Sequence, residues 1–326
     1  MPLVRPITLV VGAGGSVPFG LPTGAGLTDL IGANEANPVD IGERIDDPEL
    51  RKRLRNRYQR LSREFMASGC PSIDRFIMSR KDEAEDAKRC IAAALLPKEA
   101  AWFEAAPIHR TWLSWLFEKA FEPRSGELAE DIRIITFNYD RIIEFAFGTM
   151  VATRLGDSLD YGQEIADSLQ IRHVYGKLGG KVSASNGHLR VPVNNYSIGE
   201  SVRDITLVRE GSQYAAEKRL YASWIRESES VVFLGFGFDP DNLDAIGFSD
   251  WSSQLASKRV IASAYGLLDS EREEVQLLLG RKAQLAQSDD DCLFTLRRLG
   301  GLALQDPPKP VSRRPSRRRE TQGSDW

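Results

Sequence analysis

Four short segments of this 326-residue chain combine residue types suited to chemistry. Gly12-Ala13-Gly14-Gly15-Ser16 follows the apolar run Ile7 to Val11. Glycines in that position let backbone N–H groups approach a phosphate, and a helix starting near Thr23 would add the partial positive charge of its first turn. Taken alone, the loop suits a nucleotide phosphate and a plain strand-to-helix turn alike. It completes neither G-x-G-x-x-G, because residue 17 is valine, nor a Walker A sequence, because no Gly-Lys-Ser/Thr follows. Thr136-Phe137-Asn138-Tyr139-Asp140 ends a second apolar run, where Asp140 suits a helix cap or a ligand contact. His173 closes a third. An imidazole there is either a hydrogen-bonded core group or a proton acceptor, since its ordinary pKa lies at ~6.5. Gly235-Phe236-Gly237-Phe238-Asp239-Pro240-Asp241-Asn242 ends a fourth, with small residues for backbone contact and Asp239 and Asn242 placed to cap a helix or bind hydroxyls.

The elements that must position these segments are readable from periodicity. Short β-branched runs at 7–11, 132–137, 169–174, 230–235 and 259–263 predict buried strands. Helical spacing covers 72–78, 82–95, 108–121, 141–147, 215–226, 270–279 and 290–299, and Leu50, Leu54, Tyr58, Leu61 and Phe65 recur on one helix face. Strands alternating with helices imply parallel pairing through right-handed crossovers. The expected fold is α/β: a doubly wound, mainly parallel, Rossmann-like sheet with an all-helical, strand-free insertion at about 40–130. In such sheets ligands sit at the carboxyl ends of the strands, where all four segments lie.

Composition is that of an ordinary globular chain, with 42% hydrophobic and 27% charged residues, which excludes collagenous, coiled-coil and wholly disordered classes. The net charge of −3 gives the body no electrostatic pull toward nucleic acid. Residues 306–326 differ: Lys309, Arg313, Arg314, Arg317, Arg318 and Arg319 face only Asp306, Glu320 and Asp325, in a Pro/Arg-rich stretch expected to be disordered after a single domain over 1–305. Cys70, Cys90 and Cys292 form neither a Cys-x-x-Cys pair nor a zinc ribbon. A reducing cytoplasm, no membrane segment and no export segment are expected.

In order and strand-end placement, Gly12-Ala13-Gly14-Gly15-Ser16, Thr136-Phe137-Asn138-Tyr139-Asp140, His173 and Gly235-Phe236-Gly237-Phe238 together resemble the sirtuin superfamily. They are most similar to bacterial sirtuin-like NAD hydrolases of anti-phage systems. Cys70-Pro71-Ser72-Ile73-Asp74-Arg75-Phe76 resembles a short segment of the same defence proteins. The resemblance implies NAD as substrate, Asn138 holding a ribose hydroxyl or the attacking water, and His173 as general base. It implies a cofactor site formed by Gly12, Ala13, Gly14, Gly15, Ser16, Pro22, Thr23, Asp140, Gly235, Phe236, Gly237 and Asn242. The chain departs from protein-deacylating sirtuins in lacking their zinc cysteines, so no metal is expected. Hydrolysis is favoured over deacylation, ADP-ribosyl transfer or non-catalytic sensing. Control through homo-oligomers or a HerA-type hexameric ATPase is implied, with nucleic acid reached only through that partner or the basic tail.

Overall fold

The computed structural model describes residues 2–42, 45–105, 108–185, 188–207 and 214–301. The basic tail at 306–326 lies outside the described residues. Six strands, β1 (Ile7–Val11), β2 (Ile132–Thr136), β3 (Gln170–His173), β4 (Ser230–Leu234), β5 (Arg259–Ala262) and β6 (Gln284–Leu285), make one sheet. Their order is β6-β5-β4-β1-β2-β3 and every neighbouring pair is parallel. This is the doubly wound α/β architecture. The strands β1 and β4 are buried along their whole length, as uninterrupted β-branched runs require when helices cover both faces. The edge strand β3 is only half buried.

The chain winds outward from β1 to β3, then returns to place β4 on the other side of β1. The connections therefore leave in opposite directions from β1 and β4, and a crevice opens between their carboxyl ends. Register sets the four segments level with one another: Val11 lies opposite Thr136 and Leu234, and Thr136 opposite His173.

Between β1 and β2 the chain forms α1 (Gly24–Gly32), α2 (Pro48–Ser68), α3 (Ile73–Ile77), α4 (Ala84–Ala105) and α5 (Trp112–Ala120). Local chemistry starts several of them. Thr23 Oγ1 accepts the Gly26 N–H at 3.1 Å, Asp47 caps α2 with Pro48 in its first turn, and Ser72 Oγ accepts the Arg75 N–H at 3.2 Å. Two expectations for this block need correction. A two-stranded hairpin, Phe121–Glu122 with Glu127–Leu128, interrupts it. The helix expected to stop at Leu95 continues through Pro97 to Ala105, because Trp102 and Phe103 on its last turns are almost wholly buried and their packing outweighs the lost amide donor. The block shares the core of the sheet: the Trp112 indole donates to Gly15 O at 2.7 Å, and the Phe19 ring packs against Trp102 and Trp112.

Later helices include α6 (Ile142–Leu155), α7 (Tyr214–Glu227), α8 (Asp269–Leu279) and α9 (Cys292–Leu299). Among the described residues no helix is long and apolar enough to cross a membrane.

Candidate functional site

At the crevice the two glycine turns lie directly against each other. Gly12 N–H donates to Leu234 O and Gly14 N–H to Gly235 O, both at 3.0 Å, while Gly15 and Ser16 donate back to Gly12 and Ala13 within their own turn. A Cβ on Gly12 would stand 2.5 Å from Gly235 O, and one on Gly14 2.8 Å from Gly235 Cα. Gly235 has φ +57° and faces the Gly14–Gly15 backbone, which a side chain would strike. The absence of side chains at Gly12, Gly14, Gly15 and Gly235 is thus required by close contact between the two turns, with Gly15 pressed on Val11. Of the amides at 12–16, only that of Ala13 lacks a protein acceptor among the described residues. Gly237 is exposed with open space beside it, Pro22 is half-buried and Thr23 caps α1. A diphosphate would therefore meet the Ala13 N–H and the first turn of α1.

Behind the turns runs a buried polar relay. Asn138 Nδ2 donates to Ser16 Oγ at 2.7 Å, and Ser16 Oγ donates to Asp140 Oδ2 at 2.7 Å. Asp140 Oδ1 accepts the Ile142 N–H at 3.2 Å, so this carboxylate supports the start of α6 as well. Burial raises the Asp140 pKa to about 6, against the Ser16 hydrogen bond, with the Glu99 charge adding to the rise. Because the ionised Asp140 takes the Ser16 proton, Ser16 can only accept from Asn138, which turns the amide oxygen away from the relay. Asn138 is 7% exposed, and its Oδ1 is buried with no partner among the described residues. A buried acceptor left open by a fixed amide is a place for a donor from outside the protein.

His173 is held differently from the proton acceptor expected of it. Its Nδ1 lies 2.7 Å from the Asn138 carbonyl oxygen and its Nε2 2.9 Å from Glu144 Oε1 on α6. Both ring nitrogens face acceptors, which favours a doubly protonated imidazolium. Burial pushes the His173 pKa down, but the Glu144 charge and hydrogen bond, with the Asn138 carbonyl, outweigh it and the pKa ends above 6.5. Burial likewise pushes Glu144 up, yet His173 and then Lys177 bring it down to about 2. Both ring nitrogens are thus engaged by groups of the protein. His173 instead fixes the carbonyl of the residue whose side chain carries the open acceptor. The ion pair contributes stability in full below the unfolded-state histidine pKa of ~6.5 and loses it as pH rises through the elevated folded value. Thermal melts from pH ~6 upward should therefore show a decline that is much reduced in Glu144→Gln; an equal decline in both proteins would remove this pair as its source.

The insertion reaches across the crevice on α3. Asp74 Oδ1 accepts the Tyr139 hydroxyl at 3.1 Å, and the Arg75 guanidinium pairs with Asp241 at 3.2 Å, linking one short helix to both strand-end turns. Burial lifts the Asp74 pKa to about 6 against the Tyr139 hydrogen bond. Between the turns, Phe137, Tyr175, Phe233, Phe236 and Phe238 form a continuous ring cluster with centroid separations of 5.1–5.8 Å. Phe236, expected at a ligand, is 5% exposed inside this cluster, and Asn242 Oδ1 accepts the Tyr175 hydroxyl at 2.6 Å.

Asn138, Ser16, Asp140 and His173 are thus brought together within hydrogen-bonding distance, whereas Thr23, Gly237 and Asn242 stand around the rim. Asp74, Tyr175 and Glu144 complete the site. Of these, Asp74 lay in the Ser-Ile-Asp-Arg-Phe segment already singled out, and the other two carried no local signal.

No family model and no curated protein matches the chain. Among solved structures it is similar to Sir2Tm bound to a propionylated peptide, at 14% identity over 90% of both chains with a TM-score of 0.37. It is also similar to a Sir2 homolog–NAD complex (13% identity, 90% of this chain and 88% of that one, TM-score 0.36). A third is an ADP-ribose complex of a Sir2 homologue mutant (11% identity, 90% and 92%, TM-score 0.32).

Proposed function

We propose that this chain is a sirtuin-like NAD hydrolase that cleaves the nicotinamide–ribose bond, with water as acceptor. The observation that carries the reading is the open, buried Asn138 Oδ1 at the switch point of the sheet, anchored through Ser16 to Asp140. The sequence resemblance implies that the same residue holds a ribose hydroxyl or the attacking water.

The chemistry suits that arrangement. Nicotinamide leaves as a neutral group from a cationic nitrogen, and the sugar develops oxocarbenium character, so departure needs no acid. What the protein must supply is orientation. Asn138 Oδ1 would accept a hydrogen from the attacking water or a ribose hydroxyl, its rotamer fixed by the relay and its backbone by His173. Water adds its hydroxyl to the anomeric carbon, the C–N bond electrons go to nicotinamide, and one proton is released. The Ala13 N–H and the first turn of α1 would hold the diphosphate. The aromatic cluster would limit water at the crevice, which suits a hydrolase whose uncontrolled turnover would harm its host. A role in anti-phage NAD depletion, opened by homo-oligomer formation or by a HerA-type ATPase, belongs to the same proposal.

The test is chromatography of NAD incubated with the full chain across a range of protein concentrations, with and without an acyl-peptide. Equimolar nicotinamide and ADP-ribose in both arms is the expected result. Nicotinamide released only with the peptide would make the protein a deacylase, and tight binding without products would make it a sensor.

A further inference from the structure

We infer that the edge of the sheet opposite the crevice binds single-stranded nucleic acid. Two grooves open there. One, of about 410 Å³, lies at the C-terminal ends of α5 and α9 and is lined by Trp115, Lys119, Phe294, Arg297, Arg298 and Gly301. The other, of about 590 Å³, lies at the amino ends of β1, β5 and β6 and includes Pro2, Lys258, Arg259 and Lys282. Together they contribute six cations, and no carboxylate is among the residues lining either groove. The cationic character belongs to the groove linings and not to the whole edge: Arg298 pairs with Asp290 at 2.9 Å, and Glu229 and Asp131 stand at the starts of neighbouring strands.

The grooves adjoin. Leu3 N–H donates to Gly300 O at 2.9 Å, and Gly301 of the first groove backs onto Pro2 of the second, where even a Cβ would stand 2.5 Å from the Pro2 Cα.

The aromatic residues decide what kind of polyanion fits. Phe294 is 50% exposed with the Arg297 guanidinium 5.6 Å from its ring centre, and Lys119 Nζ lies 5.8 Å from the Trp115 ring centre. Flat apolar rings beside cations are stacking platforms: unpaired bases lie on the rings while phosphates meet the charges. A duplex offers only its backbone, and an acidic peptide has no ring to stack. This site is independent of the NAD reading, because its residues occupy the other edge of the sheet from Asn138.

The test is fluorescence anisotropy of the full chain with a labelled thymidine oligomer of about 20 nucleotides. Raising salt from roughly 50 to 200 mM should weaken binding by about 100-fold or more, as release of counterions from several phosphates requires. Phe294→Ala should weaken it by about tenfold with the salt slope unchanged, whereas Arg297→Glu should weaken it and make the slope shallower. Both positions are exposed, so melting temperatures close to wild type serve as the folding control. The inference is overturned by no binding at low salt, or by equal or tighter binding of a duplex of the same length. Equal competition by polyglutamate, which would mark an acidic protein surface, overturns it too. So does loss of binding only when the tail arginines are replaced by serine while both groove variants match wild type.

Discussion

If the proposed hydrolase reading holds, Asn138→Ala should lower NAD turnover by at least about 100-fold, the usual scale for a positioned polar group at a reacting centre, while the protein stays folded. The side chain forms one buried hydrogen bond, to Ser16, so its removal costs only about 1 kcal/mol of stability. The effect falls on chemistry because Oδ1 is the acceptor that the fold leaves open. Asn138→Asp is the sharper variant. It keeps the shape but replaces the donor facing Ser16 with a second carboxylate oxygen, close to Asp140. Turnover should be lost in this variant as well. The relay also predicts an acid limb. As pH falls through about 6, Asp140 takes up a proton, Ser16 no longer has an ionised acceptor, and the amide loses the partner that fixed its orientation. Turnover should fall over that range. The measurement is initial rates of nicotinamide release with matched melting curves; Asn138→Ala within threefold of wild type would sink the assignment.

Glu99→Ala destabilises the fold by about 3–5 kcal/mol, because it leaves a buried guanidinium without its carboxylate. Glu99 on α4 is 0% exposed, and Arg141 is 6% exposed. The guanidinium donates to Glu99 Oε2 at 2.6 Å and to Gly180 O at 2.6 Å, and the Arg141 backbone N–H donates to Glu99 Oε1 at 2.8 Å. Arg141 directly follows Asp140, so this clamp from the insertion holds the relay from behind. Urea unfolding should show the full loss in Glu99→Ala and a smaller one in Glu99→Gln, which keeps the hydrogen-bonding shape. Replacing both partners by well-packed apolar residues should cost less than either single change to alanine. An unchanged midpoint for Glu99→Ala would mean that the pair does not hold the turn.

How far the sequence reveals this arrangement depends on the range over which each signal acts. Five of the six sheet strands were legible because buried parallel strands are short β-branched runs, and the crevice followed from their alternation with helices. The two-residue β6 carries too little pattern to stand out. Asn138, Ser16 and Asp140 could be named from local segments, but their hydrogen-bonded order could not, since it joins residues more than 120 positions apart. Glu99 was hidden for a physical reason: it lies just beyond Pro97, where a helix is expected to end, and only tertiary packing carries α4 onward. The pairing of His173 with Glu144 was not legible, because Glu144 sits on a helix whose pattern reports only which face is apolar. The glycines were noticed for a good reason but the wrong contact, as their nearest neighbours are each other.

Placing β1 between β2 and β4 also has a consequence for synthesis. β1 is translated well before either of its two neighbours, at 132–136 and 230–234. At roughly 5–20 residues per second, a nascent chain spends several seconds or more with β1 lacking its second neighbour. Through that interval the second glycine turn has not been translated, and the two-turn crevice cannot assemble. A product that ends before β4 therefore lacks one wall of the crevice, whatever the crevice binds.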